Sequence, residues 1–154
     1  MKNNLFNPAT QQAIIERIQK LTPDHPRQWG KMTPNETLCH MADPFRDVLN
    51  LRQTKPAVWP IVRPLIRMMV LTEKDWKPNT PTLPVYRQGA GGAGTPPTDF
   101  ESDKATLIGF INQFCATSSD FQFGPHPGVG RLNREMNGFM MWKHTDHHLR
   151  EFGL

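Results

Sequence analysis

The segment TPNETLCHMADP, residues 33–44, begins one helix and carries the first residue of a candidate site. It opens as a capping box, with Thr33 as the N-cap, a proline in the first turn and Glu36 three residues on. Apolar residues then recur at helical spacing as far as Leu49, which predicts an amphipathic helix two. Pro44 lies inside this helix, where it removes a backbone donor, so we expect a kink there.

Three further helices are predicted outward from this segment. Helix one covers residues 7–21, and Asn7 suits its N-cap. Helix three begins with a second capping box at residues 98–101 and is closed by two serines. Helix four covers residues 133–152, and Gly153 is typical of the position that ends a helix.

The segment between helices two and three is rich in residues that interrupt helices. Eight of the 15 prolines lie between residues 51 and 98, together with a glycine-rich run at residues 89–94 that indicates a flexible loop, a candidate lid. One short helix is predicted within residues 58–72, beginning near Pro64.

These features predict an all-α fold in a single domain covering residues 1–154. The expected architecture is a four-helix bundle, because four long helices alternate with short loops and one long crossover. A crossover of nearly fifty residues lets helices two and three run in the same direction, which gives an up-down-down-up order. An irregular packing of the helices is the alternative.

Composition argues against several classes of protein. The 18 basic residues are scattered among 14 acidic ones, which argues against nucleic-acid binding. The longest apolar cluster, residues 65–71, is interrupted by Arg67 and is too short to cross a membrane. The first residues lack a signal-peptide core, and Cys39 and Cys115 form no Cys-x-x-Cys pair. We therefore expect a cytoplasmic protein with free thiols, in which both cysteines serve packing.

Histidines carry the chemistry that the sequence suggests. Three of the six, His144, His147 and His148, fall within five residues of helix four. His144 and His148 are one turn apart on a side shared with apolar residues, so both imidazoles can face one cation. His147 points toward charged neighbours, and we expect it to be solvated or to support a ligand.

A third ligand must come from another helix, and His40 is the one histidine on another predicted helix. Periodicity places His40 with Asp43 and Asp47 on the polar side of helix two. It reaches the pair if the kink at Pro44 redirects it, or if the crossover covers a polar cavity on that side. Three neutral imidazoles suit zinc, nickel, iron or copper and leave one position for water or substrate. The alternative is that these are ordinary histidines without a metal.

The motifs together resemble those of the DinB-like superfamily, and more narrowly a branch known only as a domain of unknown function. The resemblance extends from about residue 7 to the end of the chain. The residues that carry it are TPNETLCHMAD at 33–43, HPGVG at 126–130 and WKHTDHHLREFG at 142–153. It implies an up-down-down-up four-helix bundle.

The same resemblance implies a divalent metal held by His40, His144 and His148, with zinc or nickel expected first and iron or manganese as alternatives. It also implies a transferase that uses a low-molecular-weight thiol, such as bacillithiol or mycothiol, or a thiol-dependent isomerase. A metal with an open position binds the thiol sulfur and presents a thiolate to an electrophile.

We therefore expect a metal-dependent enzyme with a small-molecule substrate. The alternatives are a metal-dependent hydrolase, a non-catalytic metal-binding or stress-associated bundle, and a metal-free interaction module. Relatives often pair, which leaves a homodimer open. No nucleic-acid or membrane partner is expected.

Several other residues have two interpretations. Asp43 either orients the ring of His40 or contacts metal-bound water, or it lies on the surface, and Glu151 has the same alternatives beside His148. His126 lies in a rigid Pro/Gly turn, either over the mouth of the site or as an ordinary loop residue. Five methionines are interpreted as adaptable apolar surface, in the core rather than at a ligand: Met68, Met69, Met136, Met140 and Met141.

Overall fold

The computed structural model describes residues 3–154, and over these residues the chain is all-helical, without a β-strand. Its five α-helices are α1 (Pro8–Lys20), α2 (Pro34–Val48), α3 (Arg63–Val70), α4 (Phe100–Cys115) and α5 (Arg134–Arg150). Two single-turn 3₁₀ helices lie between α2 and α4, at Pro60–Val62 and Pro84–Tyr86. No helix in this described range has both the length and the apolar character needed to cross a membrane.

Side-chain caps begin three of the four long helices at the residues where the sequence placed their starts, and two of these caps, Asn7 and Thr33, were predicted. The Asn7 side chain accepts hydrogen bonds from two backbone amides in the first turn of α1. The capping box of α2 is reciprocal, because the Thr33 hydroxyl accepts from the Glu36 amide and the Glu36 carboxylate accepts from the Thr33 amide. The Asn133 side chain caps α5 by accepting a hydrogen bond from the Met136 amide. These side chains satisfy amides that have no partner within a helix.

The predicted start of helix three is wrong by one residue. Asp99, not Thr98, is the N-cap of α4, and its carboxylate accepts from the Ser102 amide at 2.9 Å. Thr98 lies outside the helix, where its amide and hydroxyl both donate to the Asp103 carboxylate. The N-cap Asp99 and the first-turn residue Asp103 thus make the hydrogen bonds that the prediction assigned to Thr98 and Glu101.

The short helix predicted in the crossover is confirmed as α3, which begins at Arg63 immediately before Pro64. Pro44 does not end α2, which continues through it as far as Val48.

The hydrophobic core lies between α1, α2, α4 and α5. Phe114 is at its centre, stacked on Phe6 with ring centroids 4.7 Å apart and edge-on to Phe45 at 5.5 Å. Burying each such ring contributes about 1.5–3 kcal/mol to stability. Fully buried side chains come from all four helices: Ile14, Ile18, Leu38, Met41, Phe45, Leu107, Ile111, Phe114, Phe139 and Met141.

The crossover covers the polar side of α2. Asp47 is buried, and its carboxylate accepts a 2.6 Å hydrogen bond from the Tyr86 hydroxyl. Asp43 is also buried and accepts from the amide and hydroxyl of Thr95, at 2.9 and 2.6 Å. The Arg52 guanidinium pairs with both carboxylates. Asp43 therefore does not lie on the surface and does not bond to the His40 ring, but anchors the crossover.

α3 and the 3₁₀ turn before it carry a patch of exposed apolar side chains. Ile61 is 87% exposed and Trp59 81%, and Leu65, Met68 and Met69 are also exposed. The core interpretation of Met68 and Met69 was therefore wrong. Met140 and Met141 are buried and Met136 is partly buried, as expected.

We expect Gly138→Ala to lower the free energy of unfolding by about 1–3 kcal/mol, as overpacked sites do. Gly138 of α5 receives the segment before α1, because its carbonyl accepts from the Leu5 amide at 3.2 Å. A Cβ there would overlap the side chains of Asn4 and Phe6. Gly109 of α4 is the control, since a Cβ there would meet nothing within 4 Å. Gly109→Ala should stabilise by about 0.5–1 kcal/mol. Urea denaturation measures both, and equal effects would contradict the packing argument.

Candidate metal centre

Three imidazoles from two helices meet at one place. The Nε2 of His40, on α2, lies 2.9 Å from the Nε2 of His148 and 3.1 Å from the Nε2 of His144, both on α5. All three nitrogens lie within 4.8 Å of one another. His40 and His148 are buried and His144 is partly buried. The three residues of the predicted site are thus close enough to hold one metal ion.

Two features of the chain bring these rings together. His144 and His148 lie one turn apart on α5, and their ring centroids are 4.7 Å apart. His40 faces them from the polar side of α2, which the crossover encloses. Of the two explanations offered for how His40 reaches the pair, the covering of the polar side of α2 by the crossover is therefore present.

The spacing of the three nitrogens fits a divalent transition metal. Nitrogens bound to one tetrahedral zinc ion, each at about 2.0–2.1 Å, lie about 3.3 Å from one another. The two measured distances, 2.9 and 3.1 Å, are slightly shorter than that value. Small side-chain rotations would lengthen these nitrogen–nitrogen distances to the value for zinc without moving either helix.

A hydrogen bond at Nδ1 fixes the tautomer of His40. Its Nδ1 donates to the carbonyl oxygen of Tyr86 at 2.9 Å, so the lone pair is on Nε2, the atom that faces the other two rings. Tyr86 is itself held by Asp47, through the hydroxyl bond described above. The crossover therefore prepares His40 as a nitrogen donor.

A carboxylate stands behind His148. One oxygen of the buried Glu151 lies 3.2 Å from His148 Nδ1, although the two groups do not form a hydrogen bond in this arrangement. The Nδ1 of His144 is buried and has no hydrogen-bond partner among residues 3–154. Carboxylates placed in this way strengthen a metal-binding imidazole as a ligand.

Burial favours the neutral form of the three rings. Loss of hydration lowers the pKa of His40, and it lowers the pKa values of His144 and His148 well below the usual histidine range. The neighbouring imidazoles lower the pKa values of His144 and His148 further. Burial also raises the pKa of Glu151 to about 7. Neutral imidazole is the form that binds a metal, so the site favours it before any ion arrives.

His147 is buried, so the expectation that it could be solvated was wrong. Its ring lies between Trp76 and Trp29, at 5.7 and 6.3 Å, and 5.2 Å from the ring of His148. Periodicity placed it on a charged side of helix four. That side is covered, because the crossover and the loop after α1 place tryptophans on it.

His126 lies at the cavity that contains the three rings, which agrees with its interpretation as a residue at the site. Its ring packs against Tyr86 with centroids 5.5 Å apart, and its Nδ1 accepts from the Gly128 amide at 3.1 Å. Burial lowers the pKa of His126 to about 4. It therefore stays neutral beside the site.

Lys143, next to His144, ties the crossover to α5. Its buried ammonium donates to three carbonyl oxygens at the end of α3 and just beyond, those of Val70, Thr72 and Lys74. A cation at this position satisfies carbonyls that a helix end leaves without partners. Burial lowers the pKa of Lys143.

A cavity of about 1020 Å³ adjoins the three histidines. Its walls come from the crossover, α5 and the loop before α2, and they include the apolar side chains Val58, Ile66, Val70 and Met140. Small-molecule sites usually occupy about 300–1000 Å³ and are mostly apolar with a few polar groups. The cavity is large enough for an extended ligand.

Neither cysteine contributes to the site. Cys39 is buried as a packing residue, and burial raises its thiol pKa to about 12. Cys115 is only partly buried, so its assignment to the core holds in part. Its thiol donates to the Leu5 carbonyl at 3.2 Å, because α4 ends there beside the segment before α1.

Sequence reasoning missed Tyr86, Trp76 and Lys143. Tyr86 is the single tyrosine of the chain and acts through its carbonyl, which no motif identifies. The one available signal was the pair Asp43 and Asp47, one turn apart on the side of α2 that carries His40. Two carboxylates that need partners indicate that polar groups cover this side.

We expect Glu151→Gln to weaken zinc binding about ten- to hundredfold, the usual effect of removing a carboxylate behind a ligating histidine. Glutamine keeps the size of the side chain but removes the charge beside His148 Nδ1. Competition with a chromophoric chelator measures the affinity. Glu16→Gln, on the exposed side of α1, is the matched control. Equal affinities of the two variants would contradict the role given to Glu151.

Comparison with family models gives one match, over residues 9–153, to a family described as protein of unknown function (DUF1569). The matched range contains His40, His144 and His148. Comparisons with curated proteins and with solved structures give no match.

Proposed function

The chain belongs to the family described as protein of unknown function, DUF1569, and from this premise and the geometry above we propose that it is a metal-dependent enzyme. The observation that carries the proposal is the meeting of three histidine Nε2 atoms beside a cavity of about 1020 Å³. Three protein ligands leave a fourth position for substrate, which distinguishes catalytic from structural zinc sites. Imidazole donors favour zinc or nickel, with iron or manganese as alternatives.

We propose that the substrate is a low-molecular-weight thiol, which the enzyme transfers to an electrophilic carbon. A bound divalent ion would supply a position at which the thiol loses its proton near neutral pH. The Tyr86 carbonyl keeps His40 oriented, and the Glu151 carboxyl group lies beside the Nδ1 of His148. Apolar side chains form part of the cavity wall and would limit the access of water to the nucleophile. A carbon–sulfur bond then forms as the leaving group departs with its electron pair, and the thiol proton passes to solvent.

We further propose a DinB-like bundle with up-down-down-up order. Contacts near both ends of α2 and α4 support a common direction. At their beginnings, Asn35 donates to the Thr98 carbonyl, and farther along, the Arg46 guanidinium lies over the ring of Phe110.

Contacts between α1 and α5 support a common direction for that pair as well. Asn4, just before α1, donates to the Glu135 carbonyl at the start of α5. Arg17, near the end of α1, pairs with Asp146 near the end of α5 at 2.6 Å.

The function is tested with cobalt-substituted protein and a thiol. We expect a sulfur-to-cobalt charge-transfer band on addition of 2-mercaptoethanol, and metal-dependent conjugation of the thiol to 1-chloro-2,4-dinitrobenzene. Both signals should disappear in the His144→Ala, His148→Ala variant and persist in His25→Ala, whose residue lies outside the three-histidine cluster. Absence of the band and of conjugation in the wild type would refute the thiol-transfer function.

A further inference from the structure

We propose that the ligand of this cavity carries an acidic group, a carboxylate or a phosphate, at the end remote from its thiol. For the thiol end of the ligand, which lies at the three histidines, the proposal rests on the proposed function. For the acidic end, it rests on the side chains at the mouth of the cavity.

The mouth of the cavity is lined by four cationic side chains. Lys31, Lys74, Lys77 and Arg87 line the cavity and are exposed, so they lie where it meets solvent. None of the four forms a salt bridge with another residue in the described range 3–154. Lys31 comes from the loop before α2, and the other three come from the crossover. We call these four residues the cationic rim.

Acidic residues of the cavity do not neutralise this rim. Asp75 also lines the mouth, but its carboxylate is paired with Arg150 at 2.9 Å. Glu151 lies inside, buried against His148. The chain has 18 basic and 14 acidic residues, so outside the rim the two kinds are equal in number, at 14 each. The four positive charges of the rim are therefore equal in number to the formal net charge of +4.

The cavity lining also contains apolar side chains. They include Ile66, Met69, Val70 and Met140, and methionine side chains adapt their shape to different ligands. A compact thiol would leave most of about 1020 Å³ unfilled. A ligand that reaches from the histidines to the rim thus needs an apolar body and a negative end.

Electrostatics gives such a ligand two advantages. A cleft lined by charges of one sign concentrates oppositely charged ligands and raises their association rate, and salt weakens this effect. Individual exposed charge pairs contribute little, but several acting on one group amount to about a tenfold gain in affinity.

The first test compares two thiols that differ only in charge at the far end, 6-mercaptohexanoate and 6-mercapto-1-hexanol. Titrated into cobalt-substituted protein at low salt, the carboxylate should bind about tenfold more tightly by the charge-transfer band. A Lys74→Glu, Lys77→Glu variant should lose this preference and leave the affinity for the alcohol within twofold. A Lys20→Glu, Lys55→Glu variant is the control, because it makes the same change in net charge at exposed positions that do not line the cavity.

A second measurement needs no metal. The anionic dye 1-anilinonaphthalene-8-sulfonate should bind the wild type and the Lys20/Lys55 control alike, and the Lys74/Lys77 variant about tenfold more weakly. Equal affinities for the two thiols, or a preference that survives in the Lys74/Lys77 variant, would overturn the rim proposal. If neither thiol produces the band while the dye still discriminates, the thiol function fails and the proposal that the cationic rim binds an anionic group stands. If the dye does not discriminate either, both fail.

Discussion

The His144→Ala, His148→Ala double variant is expected to lose the single divalent ion that we expect each wild-type chain to bind. Removing both rings leaves His40 as the one remaining member of the cluster, and one imidazole does not hold zinc in competition with water and buffer. Elemental analysis after dialysis should give about one zinc per wild-type chain and none for the variant.

Thermal unfolding gives a second measure of the same loss. An ion present at about 100 times its Kd stabilises the fold by about 2.7 kcal/mol. For a chain of this size that corresponds to a rise in Tm of about 5–10 °C. Zinc should produce this rise in the wild type and no rise in the double variant.

The control for both measurements is His25→Ala, since His25 contacts Phe152 and lies outside the cluster. It should keep full zinc content and the full shift in Tm. Retention of zinc by the double variant would show that these imidazoles are not the ligands.

The metal-free protein is expected to lose stability steeply as the pH falls from 6.5 to 5. Burial lowers the pKa values of His40, His144, His147 and His148, and it lowers that of His126 to about 4. The same five residues in the unfolded chain take up protons near the ordinary histidine pKa of about 6.5. Below that pH the unfolded state binds more protons than the folded state, so acid favours unfolding.

Glu151 acts in the opposite direction. Its pKa is raised to about 7, so between its ordinary value and pH 7 the folded state holds a proton that the unfolded state has released. Its contribution to stability therefore increases as the pH falls, and it offsets about one of the five histidines. Each remaining proton is worth about 1.4 kcal/mol per pH unit, which gives a net loss of up to about 5 kcal/mol per unit.

Urea denaturation in the presence of a chelator, at pH 7.5, 6.5 and 5.5, measures this dependence. The His144→Gln variant is the matched comparison, because it keeps a polar side chain but removes one titrating ring. Its slope with pH should be smaller by about one proton. A free energy of unfolding that is constant between pH 7 and 5 would show that the rings are not held neutral by the fold.

The sequence predicted those parts of the molecule that depend on local physics. Asn7 and Thr33 cap helices because of hydrogen bonds within one turn, which a short motif specifies completely. The pairing of His144 with His148 follows from the period of a single helix.

The parts that depend on contacts across the chain could not be predicted in this way. Periodicity assigns a polar side to solvent, but here Thr95 and Tyr86, some fifty and forty residues on, cover the side with Asp43 and Asp47. The same long-range covering buries His147 beside Trp76. His40 was placed correctly only by its motif, because the hydrogen bond to the Tyr86 carbonyl has no local signal.

The crossover and the helices divide the candidate site between them, and this division has an evolutionary consequence. The three imidazoles belong to α2 and α5, whereas three of the four rim cations and much of the apolar wall belong to the crossover. Connecting segments diverge faster than the scaffold that carries them. Descendants of one ancestor could therefore exchange the crossover and acquire new substrates while inheriting the same metal chemistry, provided that a backbone carbonyl remains beside His40.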